Sequence, residues 1–252
     1  MAPFNTHFLV AEKIWPELAH YGDYGQFCFG CVVPDVDKIS ATLTQKETHF
    51  NDRFTDYELM VTHRSVMFLQ QQATFLAQPF AKLAPSAQAF VLGYLCHLCV
   101  DEVTKHLWRR ETYESLQNVT ISPMFAALDE WAKMHLKHHE QLVAAIQSCH
   151  PLPEIIPRIP AAELAYYAEA INQFVIAPDT EAEFLVLANT FGRVDPIKRQ
   201  QRHEQFLAEI EQARNYVPQF HMTELIDLSL IHSRRRIANL INGQVPPPAY
   251  PF

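Results

Sequence analysis

Glycine is nearly missing from this chain: 6 residues in 252, where average composition would supply about 7%. So few residues free to take positive φ leave little room for the tight hairpin turns of an all-β protein, and helix is favoured before any pattern is read. A surplus of positive charge is missing too. The formal net charge is −8, which disfavours a protein that holds nucleic acid by neutralising phosphates. Two basic patches, Lys198-Arg199 with Arg202 and Arg234-Arg235-Arg236, read as solvated helix faces rather than phosphate clamps. No apolar run is long enough to span a bilayer; the longest, 90–100, has His97 near its end. The first residues show no basic segment followed by an apolar one, so no secretory signal is expected. These absences predict a cytoplasmic protein without a transmembrane segment, whose cysteines are reduced thiols.

What is present is ordinary for a folded protein: 48% apolar and 19% charged residues, enough to build a sizeable core. Apolar periodicity predicts helices at about 5–15 (with Pro16 starting a further turn), 24–30, 56–78, 86–108, 123–149, 161–176, 180–190, 196–216 and 218–242. Ser86, directly after Pro85, reads as an N-cap. The segment 33–49 reads as irregular. The proline-punctuated stretch 151–160 is the candidate linker, and ten such residues more often join parts of one core than divide two. The expected fold is therefore all-α, a single multi-helix domain over 1–245 followed by a proline-rich tail, 246–252, that cannot be helical.

The chemistry starts at His97 and Asp101, four apart and so on one face of a helix. The spacing alone means little: two of the 13 histidines have an acid four residues on, about what chance gives with 28 acidic residues. Their setting means more. A strongly apolar helix is buried, and a buried imidazole and carboxylate need partners, either each other and the backbone or a metal ion. Further ligands are available in Thr6-His7-Phe8, in Thr48-His49-Phe50, and in Pro34-Asp35 within the irregular segment. Three imidazoles and two carboxylates suit a borderline cation: zinc first, with iron and manganese also served by such donors.

The same segments carry a resemblance. Asn5-Thr6-His7, Gly30-Cys31-Val32-Val33-Pro34-Asp35, Lys46-Glu47-Thr48-His49-Phe50 and the run from Leu92 to Asp101, in that order, look like the zinc-dependent phospholipase C family. That family has the all-helical phospholipase C/P1 nuclease superfold. The resemblance covers about residues 1–110. It implies that Asp35, His49, His97 and Asp101 hold one zinc, that Asp101 bridges to a second ion also bound by His7, and that Asp35 is the general base or water-orienting group. A further ion would call on His106 and on His135 and His139, which share a face of the expected 123–149 helix. His106 falls one residue short of the family's place, and the other two equally fit an exposed polar face.

The implied activity is metal-dependent hydrolysis of phosphoric esters, with one or two zinc ions, on a small phosphoester or a phospholipid head group. The alternative is a binding or scaffold module that keeps the superfold and a metal without catalysis. A rival metal site would use two Cys-x2-Cys pairs, Cys28/Cys31 and Cys96/Cys99. Buried thiols acting as small hydrophobes are the simpler reading.

Overall fold

A computed structural model describes residues 4–40, 42–50, 63–115, 121–190, 196–216 and 222–246. The protein is all-α, with no strand among the described residues. The helices are α1 (Phe4–Leu18), α2 (Tyr24–Gly30), α3 (Gln45–His49), α4 (Arg64–Phe75), α5 (Pro85–Ser115), α6 (Ile121–His135), α7 (His139–Ser148), α8 (Ala161–Val175), α9 (Thr180–Thr190), α10 (Pro196–Tyr216) and α11 (Met222–Ile241). A 3-10 segment over Val33–Lys38 stands where irregular chain was expected. α1 runs past Pro16 to Leu18 as one helix, so no new turn starts there. A proline so near the end removes one intrahelical donor and leaves the rest of the ladder intact.

Helix α5 is the axis of the molecule. α2 packs along one side, α11 along another, and α1 and α4 also touch it. Its residues from Ala89 to Val103 are all fully or almost fully buried, which explains why its polar members matter so much. α5 begins at Pro85, with Gln88 N–H donating to Ala84 O at 2.9 Å. Ser86 is thus inside the first turn and not its N-cap, the expected cap having lost to proline's own preference for the first helical position.

Two other expectations are corrected. The segment ending at His49 is not irregular throughout: α3 forms there, opened by a capping box in which Thr44 and Glu47 satisfy each other's backbone donors. The predicted 123–149 helix is two helices. The Glu12 carboxylate of α1 accepts Lys137 N–H at 3.0 Å and His138 N–H at 2.6 Å, capping α7 from outside and stopping α6 at His135. The stretch 151–160 packs into the buried core. Ile155, Ile156 and Ile159 are buried, and Ile155 O accepts Ala77 N–H at 3.0 Å. One buried apolar cluster runs from Phe4 to Leu240. The proline-rich tail from 247 and the start of the expected 56–78 helix lie outside the described residues.

Two of the scarce glycines fix how closely α2 and α5 approach. A Cβ on Gly30 would stand 2.1 Å from Phe90 O, and one on Gly93 would stand 2.0 Å from Phe27 O. Both obstacles are helix backbone, which cannot swing aside as a side chain can. Gly93→Ala should therefore lower the unfolding free energy by about 1–3 kcal/mol, read from the urea midpoint. An unchanged midpoint would contradict the close approach.

Candidate metal centre

The five residues singled out above come from four elements and meet beside α5. His7 projects from α1, Asp35 from the 3-10 segment, His49 from the last turn of α3, and His97 and Asp101 from α5. All five are 0% exposed. Two sets of ligand-type atoms, His7/His97/Asp101 and Asp35/His49/His97, each lie within 4.8 Å of one another and share His97.

The orientation of each ring follows from what stands behind it. His97 Nδ1 lies 2.8 Å from Cys31 O. A carbonyl can only accept, so Nδ1 carries the proton and Nε2 keeps its lone pair. Behind His49, the Thr48 hydroxyl donates to Asp37 Oδ1 at 3.4 Å and stands 2.9 Å from His49 Nδ1. Were His49 to ligate a cation through Nε2, its Nδ1–H would donate to this hydroxyl. The two Nε2 atoms face each other at 3.2 Å. That separation is close to the roughly 3.3 Å between two nitrogens sharing one tetrahedral zinc at about 2.0–2.1 Å each. Around the same point, His49 Nε2 is 3.3 Å from Asp35 Oδ1 and 3.7 Å from Asp101 Oδ2.

His7 makes the second case. Its ring stacks on His97, with centroids 4.1 Å apart and planes 3° from parallel. Neither ring nitrogen has a hydrogen-bond partner among the described residues, and Nε2 stands 4.0 Å from Asp101 Oδ1. A buried, unsatisfied imidazole costs about 1–3 kcal/mol, so its presence fits a ligand waiting for an ion. The donors present suit zinc.

Electrostatics agree with that chemistry. Burial holds His7 and His97 below the ordinary histidine range and His49 down to about 3, so all three are neutral and able to ligate. Burial acts the other way on the carboxylates and is overcome. Lys38, paired with Asp35, holds Asp35 well below the carboxylate range. Arg64 does the same for Asp101 against its own burial. Both acids are therefore anionic, as ligands must be. Asp37, on the far side of His49, is pushed up to about 6 by burial and by Asp35.

Sequence reasoning missed several of these partners. Arg64 is 1% exposed and donates from Nη1 to Asp101 Oδ2 at 2.6 Å. Ser65 donates N–H to Glu102 Oε1 at 2.7 Å and Oγ–H to Glu102 Oε2 at 2.8 Å, while His232 Nε2 lies 2.5 Å from Glu102 Oε2. Arg236, expected on a solvated face, is 2% exposed because it lies on the inward side of α11; Arg234 and Arg235 are the exposed members of that run. The one usable sequence signal was Glu102, an acid beside Asp101 in an apolar helix.

The remaining candidates do not join the cluster. None of His106, His135 and His139 belongs to a group of ligand-type atoms among the described residues. His135 and His139 do not share a helix face, since the chain breaks between α6 and α7; His135 stacks on Trp131 and bonds Trp131 O. The thiols of Cys28, Cys31, Cys96 and Cys99 are all buried, but no three of them gather among the described residues. Burial pushes Cys28, Cys31 and Cys99 up, which keeps them as thiols.

Comparison with known proteins adds one positive result. The family described as zinc dependent phospholipase C matches residues 6–149, more than half of the chain. The chain belongs to that family. No curated protein and no solved structure gives a significant match.

A ligand that binds only the folded state raises stability by mass action, about 2.7 kcal/mol at a hundredfold excess over its Kd. Adding zinc to chelator-treated protein should therefore raise its melting temperature. The rise should vanish in His97→Ala and persist in the Cys96→Ala/Cys99→Ala and His135→Ala/His139→Ala double variants. Loss of the shift with the cysteines and its survival without His97 would move the ion to the thiols.

Proposed function

We propose that this protein is a phospholipase C-like hydrolase of phosphoric esters that works with one or two zinc ions. Asp35, His49, His97 and Asp101 would hold one ion, and His7 with Asp101 would serve a second. The observation that carries the reading is the approach of the His49 and His97 Nε2 atoms to 3.2 Å, with the Asp35 and Asp101 carboxylates beside them. We also take residues 1–245 to be a single domain, on the ground of the one apolar cluster from Phe4 to Leu240.

Zinc bound here would polarise a phosphoryl oxygen and acidify a water toward neutrality. The chain's own contribution is orientation and exclusion of solvent. Asp35, kept ionised by Lys38, accepts the hydrogen bond of the attacking water at a carboxylate oxygen. A carboxylate held this low aligns a water better than it stores a proton. Cys31 O and Thr48 lock the His97 and His49 rings from behind, and such backing partners raise ligand basicity. A small phosphoester or a phospholipid head group fits this reading better than a polyanion, because a molecule of net charge −8 repels a phosphate chain. Among the described residues no helix is long and apolar enough to cross a membrane.

Zinc-loaded protein should cleave an activated diester such as bis(nitrophenyl) phosphate, slowly and in a chelator-sensitive way. Asp35→Asn should bring the rate to background, and DNA or RNA should be cleaved less well than the small ester. No turnover of mono- or diesters with zinc verifiably bound would replace the hydrolase with a metal-containing binding or scaffold module. Preferred cleavage of long nucleic acid would refute the charge argument.

A further inference from the structure

The charge inventory of the site has a consequence for what it binds. Each carboxylate already has a side-chain cation against it: Lys38 on Asp35 and Arg64 on Asp101. Asp35 and Asp101 are therefore each paired before any ion enters. A divalent ion then adds two positive charges in a place where every ligand is 0% exposed. A buried excess of positive charge is expensive unless an anion joins it. An anionic ligand is a natural source of that balance.

Arg64 is built to meet that anion. Its position is fixed by its neighbour. Ser65 is tied to Glu102 through both N–H and Oγ, and Glu102 is held from the other side by His232 of α11. The guanidinium therefore stands at the start of α4, 2.6 Å from the Asp101 Oδ2 that itself lies 3.7 Å from His49 Nε2. Nη1 is used on Asp101. Nε is buried and has no partner among the described residues. An unsatisfied donor on a buried cation is costly, and a planar guanidinium engages an oxyanion with several donors where an ammonium offers a point charge.

We propose that Arg64 is the anion-recognition residue of this site: clamped to Asp101 through Nη1, it offers Nε to a phosphoryl oxygen of the ligand. The proposal rests on the zinc-bound reading above but not on hydrolysis. Glu102 and His232 are then positioning residues that act through the Ser65 backbone, which gives α11 a part in a site whose other groups lie before residue 102.

The test is titration of zinc-loaded wild-type protein, R64K and R64Q with inorganic phosphate and with a short-chain phosphatidylcholine, with bound zinc counted in each sample. Zinc content should be unchanged in both variants. Phosphoryl-ligand affinity should fall roughly 10- to 100-fold in R64Q and by less in R64K, which keeps the charge and loses the fork. KM for an activated phosphodiester should rise in step. Tighter binding of the lipid than of phosphate would assign the subsite to a head group, and the reverse to free phosphate; both support the proposal when they depend on Arg64. Unchanged affinity with zinc retained would overturn it and leave Arg64 as a counter-ion to Asp101. Loss of zinc from both variants would also overturn it, making Arg64 a support for the metal. R64K guards against a variant that fails to fold. Arg64-dependent phosphate binding in a wild-type protein that hydrolyses nothing would sink the hydrolase and leave this proposal standing.

Discussion

The close approach of α2 and α5 is the constraint on which the site depends. Gly30 and Gly93 let the two backbones touch, and that contact brings Cys31 O to 2.8 Å from His97 Nδ1. The carbonyl decides the tautomer of His97 and so where its lone pair points. The neighbouring supports follow from the same geometry. Tyr94, next to Gly93, donates to Thr48 O at 2.5 Å and so sets the turn that presents His49. Tyr167 of α8 donates to Val32 O at 2.6 Å, securing the chain just after Cys31. Phe50, at φ 59, ends α3 directly after His49, with its ring against Phe68 and Phe75. Local strain is tolerated there because the packing holds it.

A second constraint is electrical. Burying two carboxylates and a guanidinium at almost no exposure is favourable only when every charge has a partner, and breaking one such pair leaves an uncompensated ion. The chain meets this by matching adjacent residues on two helices: Arg64 and Ser65 on α4 face Asp101 and Glu102 on α5. Adjacent residues point in different directions on a helix, so the two contacts fix both the register and the rotation of α4. One contact belongs to the cluster of ligands. The other continues to His232 in α11, beyond the 6–149 region of family likeness. The C-terminal helices are thereby linked to the site by a chain of buried hydrogen bonds.

Much of this was legible in the sequence, for identifiable reasons. Helices α8 to α11 carry clear periodicity between prolines, and their boundaries fall close to the predicted ones. His97 and Asp101 stood out because ionisable groups in an apolar helix demand partners. α3 was overlooked even though its signal, Thr44 three residues before Glu47, was local. The break between α6 and α7 had no local signal, since its cause is Glu12 on a different helix. Arg64 was hidden for the same reason: its partner is 37 residues away, and His232 lies 130 residues from Glu102. Arg236 was misread because two exposed arginines precede it in the same run. Periodicity reports which face a residue occupies, while a long-range ion pair leaves no periodic trace.

The central claim is that the buried histidines and aspartates form a zinc centre. X-ray absorption at the zinc edge, on full-length protein purified without chelator, tests it most directly when combined with elemental analysis. The account predicts one or two zinc ions per chain, nitrogen and oxygen neighbours at about 2.0–2.2 Å, imidazole scattering, and no sulfur near about 2.3 Å. A sulfur-dominated shell, or protein that takes up no zinc even when zinc is supplied, would contradict it.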